Sequence, residues 1–376
     1  MGKVHTSSKP SSKTASSRIW QISRYIGIFL VGVLFTYLII NPENGNAKSK
    51  RNKTKKTIYQ TTTQAAEPQG KGDKPFLNPL IDNEIYHLMN RSYISRIEER
   101  VNDFIKSESM RQKIQIAVYF RDLNTDRFFV IGDEIKFGPA SLMKVPTIIA
   151  AFKKEEENPG FLTQKSVYKG SREKEFLKKE EVVGESATAL VSGNEYSAIE
   201  LIEKMITQSD NEATIMLLDL ISLEYIEKVE RDLGFFKIEN AQRNDEIMTI
   251  KKYSSFFRTL YNASYLTKEH SNMALEFLSK SDYRLGLKRL LPPNVVMSHK
   301  FGSYYHFDQK NQVDNQQLHH FGLVYFPNKP YILGVMTKSA NQKIGEELIA
   351  QISAITYNEV EKIVRSRQSA VSLDIE

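Results

Sequence analysis

Apolar residues follow several distinct rhythms along this chain, and each rhythm predicts a different element. The first is one unbroken block, Tyr25–Ile40 (YIGIFLVGVLFTYLII). Sixteen residues rise about 24 Å as a helix, slightly short of a hydrocarbon core near 30 Å. Ile19 and Trp20 close the gap, and the only tryptophan suits an interfacial anchor. Residues 19–40 therefore read as an uncleaved transmembrane anchor. The rival is a cleaved signal peptide, for which Gly45-Asn46-Ala47 is a passable small-x-small site. Residues 1–18, rich in Ser, Lys and Thr, read as a disordered cytosolic stub. Residues 41–75 read as a polar basic linker: a KSKRNKTKK block, then a Thr/Gln/Gly stretch. A basic block beside a membrane can also touch anionic lipid or polymer.

From residue 76 to 376 the pattern is globular. Arg91–Ser107 places Ile94, Ile97, Val101 and Ile105 at helical spacing. Lys113–Phe120 alternates as a strand, Asn124-Thr125-Asp126 signals a turn, and Arg127–Ile131 completes a hairpin. A helix is predicted from near Ser141 through Phe152, and residues 153–186 are charged and irregular. Ser197-Ala-Ile-Glu200 is a capping box opening an amphipathic helix, and a further helix follows Asn211. Three late strands, Val296–Ser303, His319–Phe326 and Tyr331–Thr337, precede a closing helix over Asn341–Val364. Asn328-Lys-Pro reads as the turn between the last two strands.

Apolar content of 40% supports a substantial core. The net charge of +7 belongs to the tail: residues 1–24 carry five Lys/Arg and no acid, and residues 41–75 eight against three, so the body is mildly acidic. Nothing demands a basic face for nucleic acid. Without cysteine, disulfides, thiolate nucleophiles and Cys-ligated zinc are excluded. The seven histidines show no metal-binding spacing, and adjacent His319 and His320 should point to opposite faces of a strand, so neither metal nor cofactor is expected.

Three short motifs carry chemistry. Ser141-x-x-Lys144 puts an amine beside a hydroxyl on one helical face. A hydroxyl is a poor nucleophile until a neighbour takes its proton, and a desolvated lysine can do so. The same spacing recurs at Ser166/Lys169 and Ser171/Lys174, in a charged stretch with no apolar helix behind it. Ser141 differs: a hairpin precedes it and the apolar run Val145–Phe152 follows, which would fix the serine near a helix N-terminus where a developing oxyanion is favoured. Ser209-Asp210-Asn211 lies between two predicted helices, where Asn or Asp is an ordinary N-cap. Lys300-Phe301-Gly302 lies on a strand and in isolation is an exposed lysine beside a glycine.

In this order and setting, the three motifs resemble those of class A β-lactamases and penicillin-binding proteins, over about Ile114 to Ile363. The resemblance implies a β-lactamase-like α/β (α+β) fold: a five-stranded antiparallel sheet with flanking helices, an all-helical lobe inserted between strands, and the active site between them. It implies that Ser141 attacks a carbonyl and forms an ester, with Lys144 helping to activate it. Ser209 would pass a proton to the leaving nitrogen, and Asn211 would hold the substrate amide. Lys300 would supply positive potential for a substrate carboxylate. The N–H groups of Ser141 and Ser303 would form an oxyanion hole. Gly302 would keep the strand clear for substrate.

Two departures bear on activity. Phe301 stands where the family carries a hydroxyl residue, so a donor to the substrate carboxylate is lost. The Glu-x-x-Leu-Asn motif, whose Glu positions the deacylating water, is missing between Asn211 and Lys300; Glu239 and Glu246, in Ile238–Thr249, are the candidates to replace it. The expectation is a serine hydrolase, extracytoplasmic on a bacterial inner membrane by a single span. It would act on β-lactam or peptidoglycan-like amide and ester substrates, with slow deacylation. The alternatives are a D,D-peptidase or a catalytically dead envelope-binding module of the same fold.

Overall fold

The structure, a computed structural model, describes residues 92–172, 188–235, 248–307 and 313–373. The predicted stub, anchor and linker lie outside them; among the described residues no helix is long and apolar enough to cross a membrane.

The chain opens with α1 (Ser92–Arg111), then the hairpin β1 (Gln115–Asp122) and β2 (Phe128–Ile131). Asp122 Oδ1 accepts the N–H groups of Asn124 and Thr125, which closes the turn. The helical lobe follows: α2 (Lys144–Glu157), α3 (Ala198–Thr207), α4 (Asn211–Ile221), α5 (Leu223–Asp232), α6 (Ile250–Tyr261) and α7 (Lys268–Ser279). Two three-residue strands, β3 (Lys165–Val167) and β4 (Glu195–Ser197), pair within it. The chain then returns to the sheet as β5 (Met297–Phe307), β6 (Val313–Val324) and β7 (Tyr331–Ser339), and ends in α8 (Gln342–Leu373). The main sheet is antiparallel throughout, in the order β2-β1-β7-β6-β5.

Both faces of this sheet are covered, which explains why β7 reads as a continuous apolar run rather than an alternating one. On one face Phe321, Leu323, Ile332 and Met336 join the core of the lobe. On the other, Val118, Phe120, Leu333 and Val335 pack against α1 and α8. At Gly334 the ring of Phe321 fills the place of a side chain: a Cβ there would lie 2.2 Å from it. That ring also meets Tyr253 edge-on at 4.7 Å and stacks on Phe257 at 6.1 Å, so sheet and lobe interlock through aromatic contacts.

The hairpin and the capping box stand where the sequence pattern put them; the late strands and the closing helix are there too but run further, β5 to Phe307, β6 from Val313 and α8 to Leu373. At the box Ser197 Oγ accepts from Glu200 N–H and the Glu200 carboxylate accepts from Ser197 N–H. The lobe is not all-helical, because β3 and β4 are strands too short to show a period. The pattern also missed α5 to α7. The aromatic, Ser/Thr-bearing α6 (IKKYSSFFRTLY) has a strand-like composition, and packing against Phe321 overrides it.

Candidate active site

Ser141 sits on a tight turn held from several sides. Phe137 exchanges two backbone hydrogen bonds with Met248, at 2.9 and 3.2 Å. Gly138 is tied to β6 twice: its N–H reaches Gln317 Oε1 at 3.0 Å, and its carbonyl accepts from His319 Nε2 at 3.0 Å. Ala140 takes a left-handed φ of 47°, unusual without glycine, and turns the chain sharply before the serine. Ala140–Met143 is a 3₁₀ turn, not the start of the α-helix as the pattern suggested; α2 begins only at Lys144. In a 3₁₀ turn residues three apart eclipse, so Ser141 and Lys144 share one face more closely than in an α-helix. The buried Tyr253 hydroxyl donates to Leu142 O at 2.9 Å and braces the turn from below.

Lys144 is buried and reaches into the α3–α4 connection. Its Nζ donates to Ser209 O (2.6 Å), Ser209 Oγ (3.2 Å) and Asn211 Oδ1 (2.7 Å). Ser209 holds φ at 59°, which turns both its carbonyl and its hydroxyl towards the ammonium. From the other side Lys300 Nζ donates to the same Ser209 Oγ at 2.9 Å. A hydroxyl oxygen has two lone pairs. Two lysines occupy them, so the Ser209 hydrogen is left to point elsewhere. All three motifs therefore converge on one hydroxyl.

Asp210 is the structural member of its triplet. It caps α4 through Ala213 N (3.0 Å) and accepts from Thr188 Oγ1 (2.8 Å) and Ala189 N (3.2 Å). The cap falls on Asp210, leaving Asn211 Oδ1 for Lys144. Buried Glu212 accepts from Ser171 Oγ and Arg172 N–H, so the second rival Ser-x-x-Lys serine is used for packing.

Lys300 is wholly buried on β5, the sheet's edge strand. Desolvation drives its pKa well below the ordinary lysine range, and the nearby Lys144 charge adds to this. Both ammonium groups bind one oxygen, so their separation cannot exceed the sum of the two hydrogen-bond distances. Gly302 has a different reason from the one the sequence suggested. Its missing side chain makes room for the serine turn: a Cβ would lie 3.1 Å from Leu142 N and 3.2 Å from Pro139 O. Ser303 follows on the same strand, opposite Leu318. Glu239 and Glu246 lie outside the described residues. Among the described residues no group of three or more His, Asp or Glu side chains could hold a metal ion.

Three buried histidines, not singled out for the site, line this region. His319 and His320 point to opposite faces of β6, as their adjacency requires; His319 braces Gly138, and His320 Nε2 lies 2.9 Å from His299 Nδ1 behind Lys300. No spacing rule flags them, because their partners come from distant strands.

A half-buried serine three residues before a buried lysine, a second serine between two lysines and a sheet edge alongside define an active-site-serine acyltransferase of the β-lactamase kind. The sequence matches the beta-lactamase enzyme family over residues 96–360, and the chain belongs to that family. It is accordingly a serine hydrolase working through an acyl-enzyme. Solved structures with the same fold include PBP-A, at 21% identity and TM-score 0.58, covering 72% of this chain and 97% of that one. A class A beta-lactamase from Bacteroides cellulosilyticus DSM 14838 is 18% identical with TM-score 0.60, covering 73% of this chain and 100% of that one. TLA-1 extended-spectrum beta-lactamase is 17% identical with TM-score 0.59, covering 72% of this chain and 99% of that one. Among curated protein sequences none is significantly similar.

Proposed function

We propose that this protein is a membrane-anchored acyl-enzyme hydrolase of β-lactams or related amides and esters, single-pass in a bacterial inner membrane with its catalytic domain extracytoplasmic. The observation that carries the reading is the Ser209 hydroxyl, which accepts from Lys144 and Lys300 together. The apolar block Tyr25–Ile40 supports the anchor.

In this reading Ser141 Oγ attacks the carbonyl carbon. Its proton passes to Lys144, which acts as a base only once it is a neutral amine. The two lysines cannot both hold a charge cheaply: two unit charges about 6 Å apart repel by about 3 kcal/mol at an effective dielectric near 20. Ser209, with both lone pairs engaged, can turn its own hydrogen to the leaving group and recover one from Lys144. Asn211 holds the substrate amide, and the N–H groups of Ser141 and Ser303 receive the oxyanion. Gly302 keeps the serine turn seated against β5.

Deacylation is slow in this reading, because Glu-x-x-Leu-Asn is absent from the sequence. Glu239 and Glu246 remain the candidate bases. That absence also favours a D,D-peptidase or penicillin-binding role, and a variant of PBP-A has been solved as its acyl-enzyme with penicillin G.

The test is intact mass against time for the full chain in detergent with a penicillin, beside Ser141→Ala. A persistent adduct on the wild type alone is expected. Rapid release of product would mean efficient β-lactamase action, and an adduct on Ser141→Ala would remove Ser141 as the nucleophile.

A further inference from the structure

The wall beside Ser209 is built to hide a charge. Lys300 is fully buried, and its Nζ donates to Ser209 Oγ at 2.9 Å and to Phe301 O at 3.1 Å. The third direction is covered by the ring of Phe301, whose centroid lies 4.3 Å from Nζ. The ring of Tyr283 stacks on Phe301 at 3.8 Å and 14°. A stack that close occupies one face of the Phe301 ring, so the ammonium must sit over the other. Phe301 is thus a screen clamped between Tyr283 and Lys300. Tyr283 in turn rests edge-on against buried His320 at 5.3 Å, so the clamp is anchored in the sheet. Phe301 keeps part of its surface exposed while Lys300 has none. Position 301 offers a ligand ring carbon and no hydroxyl.

An anion gains little from such a wall. A carboxylate brought against it would shed water and receive neither an ammonium N–H from Lys300 nor a hydroxyl from position 301. An uncharged apolar or aromatic group would lose nothing polar and would cover the exposed part of the ring. Ser303, two residues along β5, can offer a hydroxyl but no charge.

We propose that the Phe301–Tyr283 screen makes the site selective for uncharged acyl donors, amides or esters with an apolar or aromatic group facing β5, over donors with a carboxylate there. The inference rests on the acyl-enzyme reading. The step itself is ordinary acyl transfer: Ser141 Oγ bonds to the acyl carbon, the bond to the alcohol or amine breaks, and the serine proton leaves with that group. Water later cleaves the ester and restores the serine.

The experiment uses the full chain in detergent and a matched pair of probes, benzylpenicillin and its methyl ester, with a neutral p-nitrophenyl ester of phenylacetic acid as a third. Acylation rate constants are read by intact mass, with Ser141→Ala as the blank. In the wild type the methyl ester should acylate at least tenfold faster than the free acid. Phe301→Thr, which removes the screen and adds a hydroxyl, should move that ratio at least tenfold towards the acid. Acylation of the wild type by the acid as fast as by the ester would overturn the inference while leaving the nucleophile intact. No Ser141-dependent acylation by any probe would overturn the acyl-enzyme reading and this proposal with it. If Phe301→Thr does not fold, the wild-type ratio decides alone.

Discussion

Lowering the pH from 7.5 to 5.5 should remove about 4 kcal/mol of folding stability, through three buried histidines. Burial depresses each of them: His299 and His319 to about 3, and His320 well below its usual value, with Lys288, Lys300 and Arg284 adding positive charge around the His299 site. The hydrogen bonds show what keeps them neutral. His319 donates Nε2–H to Gly138 O, and its Nδ1 is buried without a partner. His320 accepts Leu287 N–H at Nδ1, so its proton is on Nε2 and goes to His299 Nδ1. Charging His320 would break the bond to Leu287. In the unfolded chain all three titrate near 6.5, so that state gains protons that the folded state refuses. Stability is therefore intact above the unfolded value and falls as pH drops through it towards about 3. Over two pH units centred on 6.5, each histidine contributes about 1.4 kcal/mol, and carboxylates enter only lower. Urea unfolding of the full chain at the two pH values, followed by far-UV circular dichroism, measures the difference. Equal free energies within about 1 kcal/mol would refute the assignment of three buried neutral imidazoles.

Other substitutions test the site and its frame. Gly302→Ala should shift the serine turn by a few tenths of an ångström, cost about 1–2 kcal/mol of stability, and slow acylation about tenfold or more, read by thermal melting beside adduct formation. Lys300→Met should abolish or severely slow acylation yet leave the protein no less stable at pH 7. Its depressed folded-state pKa makes the lysine a growing asset only as pH rises towards the ordinary lysine value, so the gap between variant and wild type should shift in the wild type's favour between pH 7 and 10. Asp210→Ala removes a helix cap and the acceptor for Thr188 and Ala189, and should cost about 2–3 kcal/mol in urea unfolding. Gly334→Ala should leave little folded protein, because its methyl group would occupy the Phe321 ring, and circular dichroism decides this.

The parts of this molecule legible in the sequence are those whose causes are local. A capping box needs only Ser197 and Glu200, and the β1–β2 hairpin only its turn residues and alternation. The three motifs could be ordered from sequence because each falls on one short element. The convergence of Lys144 and Lys300 on Ser209 depends on packing between the lobe and β5, which no local pattern encodes. The same holds for Gly302. Its neighbour across the gap is the Pro139–Leu142 turn, more than a hundred residues away in sequence, so nothing local distinguishes room for that turn from room for substrate. Phe301 reads in sequence as a lost hydroxyl, and only its stack on Tyr283 gives it a task of its own.

The central pairing of the sheet has a consequence for how the chain is made. Strand β1 lies between β2 and β7, in a register that matches Gln115 with Lys338, and Arg100 of α1 pairs with Glu359 of α8 at 3.0 Å. The first strand of the sheet must wait for the last before this core can close. A product cut short before Tyr331 would hold two unconnected half-sheets, β2-β1 and β6-β5, each with a bare edge. The sheet is completed by its central strand β7 last of all, after both of its halves exist.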